Sequence, residues 1–190
     1  MSKTTIPTAG LADDAVDNTK LDLTSNYAFT GTVTGAGGGI TMADQWRITA
    51  TQSGNAEPIT ANLERVDTAG QGYLGTGMSV SSGIWTFPTT GIYYVEWKIS
   101  VDNVGAEDGR IDFDIMVTTN NSSYSEVARG FTHSSVNDAR SAASVCSLID
   151  VTDTSQVKVR FDLRQNDANN VSGATGNNQT HFTFIRLGDT

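Results

Sequence analysis

Alternation of apolar and other residues at every second position is the feature that most constrains how this chain can fold. In the segment 93–101 the odd positions are all apolar, and most of the even positions are polar or charged. The same two-residue period recurs in 111–117 and 157–163, and a shorter run begins at Trp46 and Ile48. This period is typical of β-strands that bury one face and expose the other. It predicts several half-buried strands.

Composition favours strands joined by turns over a helical bundle. The 190 residues include 26 Thr and 19 Gly but only 8 Leu, and the segments 102–109, 118–125 and 165–178 are clusters of turn-forming residues. Short strands at this spacing predict an all-β protein, an antiparallel sandwich or a jelly roll. The last run is apolar on both faces, which predicts a subunit interface that includes Phe182, Phe184, Ile185 and Leu187.

Charge and cysteine content exclude several classes of partner. The formal net charge is -9 and the 12 Lys and Arg residues are scattered singly, so we expect no nucleic acid partner. No apolar run is long enough to cross a bilayer, so we expect no membrane insertion. A single cysteine, Cys146, excludes an intrachain disulfide. Without the regions of a signal peptide, the sequence predicts a protein made in a cytoplasm without a secretory step.

The chain divides into two regions of different composition. Residues 1–39 are predicted to be an extended N-terminal arm that ends in a Gly-rich linker, and residues 40–190 a jelly-roll head domain. Within the arm, Tyr27, Phe29 and Val33 lie on one face of a weakly alternating stretch. One interpretation is a disordered tail. We favour an arm that becomes ordered against a partner or a sister subunit, because a free tail has little use for two aromatic residues.

No motif for catalysis or cofactor binding is present in the sequence. His133 and His181 do not fall in a metal-ligand spacing, and Ser79 does not lie in a nucleophile elbow. We therefore expect a non-enzyme with no cofactor. Asp112 and Asp114 share one strand face, which indicates either a solvated sheet face or oxygen ligands for calcium.

Asn-rich turns are the candidate ligand-binding loops. Asn121, Tyr124, Asn169 and Asn170 lie in segments expected at the ends of the sandwich. These residues are either ordinary polar turns or a surface that binds a host cell-surface glycan or protein.

One motif carries a family resemblance. In the segment GIWTFPTTGIYY at 83–94, a tryptophan, a phenylalanine, a proline, a glycine and two tyrosines follow in that order at the beginning of the longest alternating run. This order resembles the signature of the complement C-one-q globular head and the tumour-necrosis-factor-like jelly rolls, and the resemblance covers residues 40–190. It implies a ten-stranded jelly roll that assembles as a tight homotrimer, with a three-fold ring of contacts that buries the last strand.

The predicted arm carries a second, less specific resemblance. Residues 4–38 are similar to leader segments of structural proteins in bacteriophage virions, particularly fibre and capsid decoration proteins. This resemblance implies a viral protein located in the virion and assembled in the bacterial cytoplasm, either a capsid decoration (cement) protein or a short fibre. Its partners are then its own copies and the major capsid or tail proteins, to which Tyr27, Phe29 and Val33 of the arm are expected to anchor it. The alternative function is the host-receptor or glycan-binding tip of a tail fibre.

Overall fold

A computed structural model describes residues 39–103, 109–134, 139–165 and 169–190. Residues 39 to 190 form one compact unit. The strands in these ranges, in chain order, are β1 (Met42–Ile48), β2 (Gln52–Ser53), β3 (Leu63–Arg65), β4 (Ser79–Ser81), β5 (Ile84–Thr86), β6 (Gly91–Asn103), β7 (Gly109–Thr118), β8 (Ser125–Ser134), β9 (Arg140–Val151), β10 (Lys158–Gln165), β11 (Asn169–Val171) and β12 (His181–Gly188).

The strands form two antiparallel sheets. The front sheet has the order β3-β1-β12-β6-β9, and β11 and β2 extend it beside the end of β6. The back sheet has the order β4-β5-β10-β7-β8. The predicted all-β antiparallel jelly-roll sandwich is thus confirmed. The described residues form twelve strands rather than the expected ten, because β2 and β11 add two short strands beside the end of β6.

Apolar residues of the alternating segments meet between the two sheets. Trp97 and Phe182 come from the front sheet, Trp85 and Phe161 come from the back sheet, and all four are almost completely buried. The ring centroids of Phe161 and Phe182 lie 4.4 Å apart, and those of Trp85 and Phe182 lie 5.5 Å apart. Because each ring contacts the opposite sheet, one aromatic cluster joins both layers.

The segment that carries the family resemblance builds a corner of this core. Phe87 and Tyr93 are buried with ring centroids 4.7 Å apart, and the Tyr93 hydroxyl donates a hydrogen bond to the Thr89 carbonyl at 3.0 Å. Gly91 has a φ of 140°, and a Cβ at this position would lie 2.4 Å from the Gly188 carbonyl oxygen. The motif therefore holds the start of β6 against the end of β12.

Candidate functional site

A row of apolar side chains crosses the outer face of the front sheet. Strand register places Ala43, Ile185, Tyr94 and Leu148 side by side on β1, β12, β6 and β9, and an isolated bridge adds Leu74 beside Ala43. We call these five residues the apolar row. Leu148 is 64% exposed and Leu74 is 48% exposed, whereas the other three are half-buried. An apolar strip across five adjacent chain segments is typical of a surface that another molecule covers.

Polar residues border the apolar row on one side. The next register row is Gln45, Thr183, Glu96 and Cys146, and the row after it is Arg47, His181, Lys98 and Ser144. Burial, a hydrogen bond with Cys146 and the charge of Glu96 together raise the pKa of Tyr94 above its ordinary value. A tyrosine is neutral at physiological pH even at its ordinary pKa, so Tyr94 adds no charge to the apolar row.

The structure corrects the predicted interface on β12. Phe182 and Phe184 are 0% exposed because they point into the aromatic cluster between the sheets, so neither side chain is available to a second chain. Ile185 and Leu187 point to the outer face, where Leu187 is 52% exposed. The two faces of β12 are therefore apolar for different reasons. The inner face packs against the opposite sheet, and only the outer face is available to a second chain.

Ion pairs cover the outer face of the back sheet. Asp114 is completely buried and accepts hydrogen bonds from Arg129, at 2.9 Å, and from Arg164. Asp162 beside it accepts one from Arg160 at 2.8 Å. The prediction of a solvated face at Asp112 and Asp114 is therefore wrong, because arginine side chains displace solvent there.

The pKa values of two aspartates on this face are shifted in opposite directions. The hydrogen bond that Arg110 donates lowers the pKa of Asp112. Burial raises the pKa of Asp162, and the nearby Arg160 only partly offsets that effect. Within the described ranges no group of three or more His, Cys, Asp or Glu residues is placed to hold a metal ion, so the alternative of a calcium site at Asp112 and Asp114 gains no support there.

The predicted loop residues lie at two separate places. Asn121 is exposed in the turn after β7, and Tyr124 stacks on the Arg160 guanidinium at 4.6 Å from its ring centroid. Asn169 and Asn170 belong to β11, which pairs with the last residues of β6 beside the start of β7. Asn169 is buried there. The structure therefore places the two pairs at opposite ends of the sandwich.

The remaining residues named in the sequence analysis are exposed on strands or lie outside the described residues. His133 and Cys146 are exposed on β8 and β9. The predicted anchoring residues Tyr27, Phe29 and Val33 lie outside the described residues. The part of the chain that the structure describes contains no helix long and apolar enough to span a membrane.

Solved structures with the same fold are distant in sequence. Murine APRIL is similar with a TM-score of 0.54 at 12% identity, over 77% of this chain and 98% of that chain. The Eiger TNF from S. frugiperda is similar with a TM-score of 0.57 at 11% identity, over 80% of this chain and 95% of that chain. Neither a protein-family model nor a curated protein matches the sequence. The fold is therefore a tumour-necrosis-factor-like jelly roll.

Most of the apolar row is not evident from the sequence alone. The period itself placed Tyr94 on the solvent side, and Leu148 falls at an even position of a weakly patterned strand. Only the register of β6 against β9 and β12 brings these residues next to Ile185. A large apolar residue at an outward position of a predicted strand is the signal that could have found them.

Proposed function

We propose that this chain is a structural protein of a bacteriophage virion. Its jelly-roll unit forms a homotrimer, and residues 1–39 attach the trimer to capsid or tail proteins as a decoration protein or a short fibre. The observation that carries the proposal is the apolar row, which gives the unit a face suited to a second copy of itself.

The two outer faces of the sandwich differ in what they offer a partner. On the back sheet, ion pairs such as Arg129 with Asp114 satisfy the buried charges within the chain. On the front sheet, Leu148 and Leu74 remain largely exposed. Covering a large aliphatic side chain contributes about 1.5–3 kcal/mol. Self-association through the front sheet is therefore the more favourable assembly.

A three-fold ring of subunits can cover the apolar row and can also present three arms for attachment to the virion. In a closed ring each subunit offers one surface to its neighbour and receives a different surface, so the apolar row of each subunit can be covered. Each trimer then carries three arms. Simultaneous attachment of these arms to one particle raises avidity without strong single contacts. The similarity of residues 4–38 to virion leader segments supports attachment through the arm.

Light scattering on the full chain tests the assembly. We expect a trimer for the parent chain and a monomer for Leu148→Asp, because a charge in the apolar row would be desolvated at the interface. Phe131→Asp is the matched control, since Phe131 is 75% exposed on the back sheet and should leave the trimer intact. A trimeric Leu148→Asp variant, or a monomeric parent chain, would contradict the proposal.

Attachment is tested separately with particles that lack the protein. The full chain should bind them, whereas a chain that starts at Ile40 should remain unbound while keeping its trimeric mass. Binding by the shortened chain would place the anchor in the head domain. Failure of both chains to bind would contradict the proposed virion role but would not contradict the proposed trimer.

A further inference from the structure

Strand β9 is an open edge of the front sheet. Its residues, Arg140–Val151, pair with β6, and no other strand in the described ranges pairs with it. When a strand has a neighbour on one side only, every second residue directs its backbone N–H and C=O groups away from the sheet. These groups form a row of hydrogen-bonding sites that fits another extended polypeptide.

The other sheet edges in the described ranges carry features that oppose strand pairing. β2, β3 and β4 have only two or three residues each. β8 is longer, but a bulge interrupts its register with β7, and it contains the charged residues Glu126 and Arg129. Short strands, bulges and charges are the usual protection of a sheet edge. β9 pairs with β6 without a bulge, and residues 141–149 include neither a charged residue nor a proline.

The two charged residues of β9 lie at its two ends and have opposite signs. Arg140 is the first residue of the strand and Asp150 is the last but one. When two copies of β9 pair antiparallel with Val145 opposite Val145, each Arg140 faces Asp150 of the other copy. Arg140 donates from Nε to Asp102 at 2.7 Å, but its side chain is 84% exposed, so its other nitrogens remain available to a second carboxylate.

The side chains between these ends fit the same register. On the outer face, Leu148 lies opposite Ala142 of the other copy, and Ser144 lies opposite Cys146. All four side chains are exposed, and three of them are small, so they present no steric obstacle. A shift by one residue would place outer side chains beside inner ones, and a shift by two would separate the opposite charges at both ends.

We infer that β9 binds β9 of a second copy of this chain and joins two front sheets into one continuous sheet. The contact is two-fold symmetric, because each copy contributes the same strand. Backbone hydrogen bonds supply the affinity, and the pairs of Arg140 with Asp150 fix the register. This inference goes beyond the proposed trimer, which uses the outer face of the front sheet. The strand contact uses an edge, links subunits of two different trimers, and does not require the trimer.

Disulfide cross-linking of the full chain tests the register. In Ser144→Cys, each new thiol faces Cys146 of the other copy at a distance that a disulfide can span, so we expect mild oxidation to give a covalent dimer. Ala142→Cys is the matched control, because it also adds one thiol to the outer face of β9 but places it opposite Leu148. We expect about tenfold less covalent dimer from this control. Equal cross-linking of the two variants, or a dimer without a disulfide between positions 144 and 146, would overturn the inference.

Charge reversal tests the contact without cysteine chemistry. Arg140→Asp and Asp150→Arg should each weaken the association about tenfold, because like charges then face each other at both ends. The double variant should restore the association, since the opposite charges have only exchanged places. A double variant that associates as weakly as the single variants would contradict the proposed register.

Light scattering over a range of concentrations separates this inference from the proposed trimer. We expect the mass of the parent chain to rise from that of a trimer towards that of a hexamer as concentration increases. A rise from monomer to dimer would support the strand contact and contradict the trimer. A mass that stays at the trimer at every concentration would support the trimer and overturn the strand contact.

Discussion

At the scale of single residues, buried charges are compensated inside the chain. Asp44 is 2% exposed and accepts hydrogen bonds from the Trp46 indole at 2.9 Å and the Met78 amide at 2.7 Å. Arg65 completes this cluster: it donates to Asp44 at 3.1 Å, and its guanidinium lies over the rings of both Trp46 and Tyr73. A buried carboxylate with several donors is stable only while those donors remain.

Asp114→Asn tests the ion pairs of the back sheet. The substitution removes the buried carboxylate that Arg129 and Arg164 share and leaves them only their exposed partners Glu126 and Glu57. We expect a loss of about 1–3 kcal/mol in the free energy of unfolding, measured by chemical denaturation. Glu126→Gln is the control, because Glu126 pairs with the same Arg129 at an exposed position and should cost about 0–1 kcal/mol. Equal effects of the two substitutions would show that burial does not set the strength of these pairs.

The pH dependence of stability tests the surroundings of His181. Burial first, and then Lys98, lowers the pKa of His181, although Glu96 acts in the opposite direction. Arg47 on β1 is its register partner on the other side. Because the unfolded chain binds the proton more readily, stability is complete above the ordinary histidine pKa and is lost as pH falls through the lowered value. Denaturation of His181→Gln between about pH 5 and about pH 7.5 should show a shallower decrease than the parent chain.

At the scale of strands, the two-residue period predicted β6, β7, β10 and the beginning of β1, but not the long strands β8 and β9. It located the inward residues of β6, β7 and β10 correctly, because each strand buries one face against a continuous core. It could not locate β2, β3, β4 or β11, which have two or three residues each and are defined by their partners. For the same reason it placed Asn169 and Asn170 in a loop, although hydrogen bonds with β6 make them a strand.

Gly130→Ala tests how β8 is held against β7. Gly130 is the register partner of Phe113, and a Cβ there would lie 2.3 Å from the Phe113 ring. That ring is completely buried, with its centroid 5.4 Å from the Trp97 centroid, and has no room to yield. We expect a loss of about 1–3 kcal/mol in the free energy of unfolding. Gly176→Ala is the control, since a Cβ there meets nothing within 4 Å and should leave stability nearly unchanged.

At the scale of the whole molecule, the two-layer fold could be predicted from the sequence, whereas the composition of the outer surfaces could not. The ordered motif from Gly83 to Tyr94 indicated the jelly roll because Phe87, Gly91 and Tyr93 build a corner of the core. The apolar row depends on which strands are neighbours. Residues such as Tyr94 and Leu148 are far apart in the sequence, and only strand register makes them a surface.

The aromatic cluster predicts that residues 39–190 unfold as one cooperative unit. Trp46 lies on the front sheet and Trp85 on the back sheet, with ring centroids 5.1 Å apart, so tryptophan fluorescence reports on the contact between the sheets. Far-ultraviolet circular dichroism reports on the strands themselves. Because neither sheet can bury its apolar face without the other, the two signals should change at the same denaturant concentration.

Phe161→Ala makes that prediction quantitative. Phe161 contacts Trp85 from its own sheet and Trp97, Phe182 and Phe184 from the other, with centroid distances of 4.4 to 6.0 Å. Its truncation leaves a cavity shared by both layers, so we expect a loss of about 3–5 kcal/mol. Both signals should shift to the same lower denaturant concentration. A dichroism change that lags behind the fluorescence change would instead mean that one sheet persists alone, and the two layers would then be held by something other than this cluster.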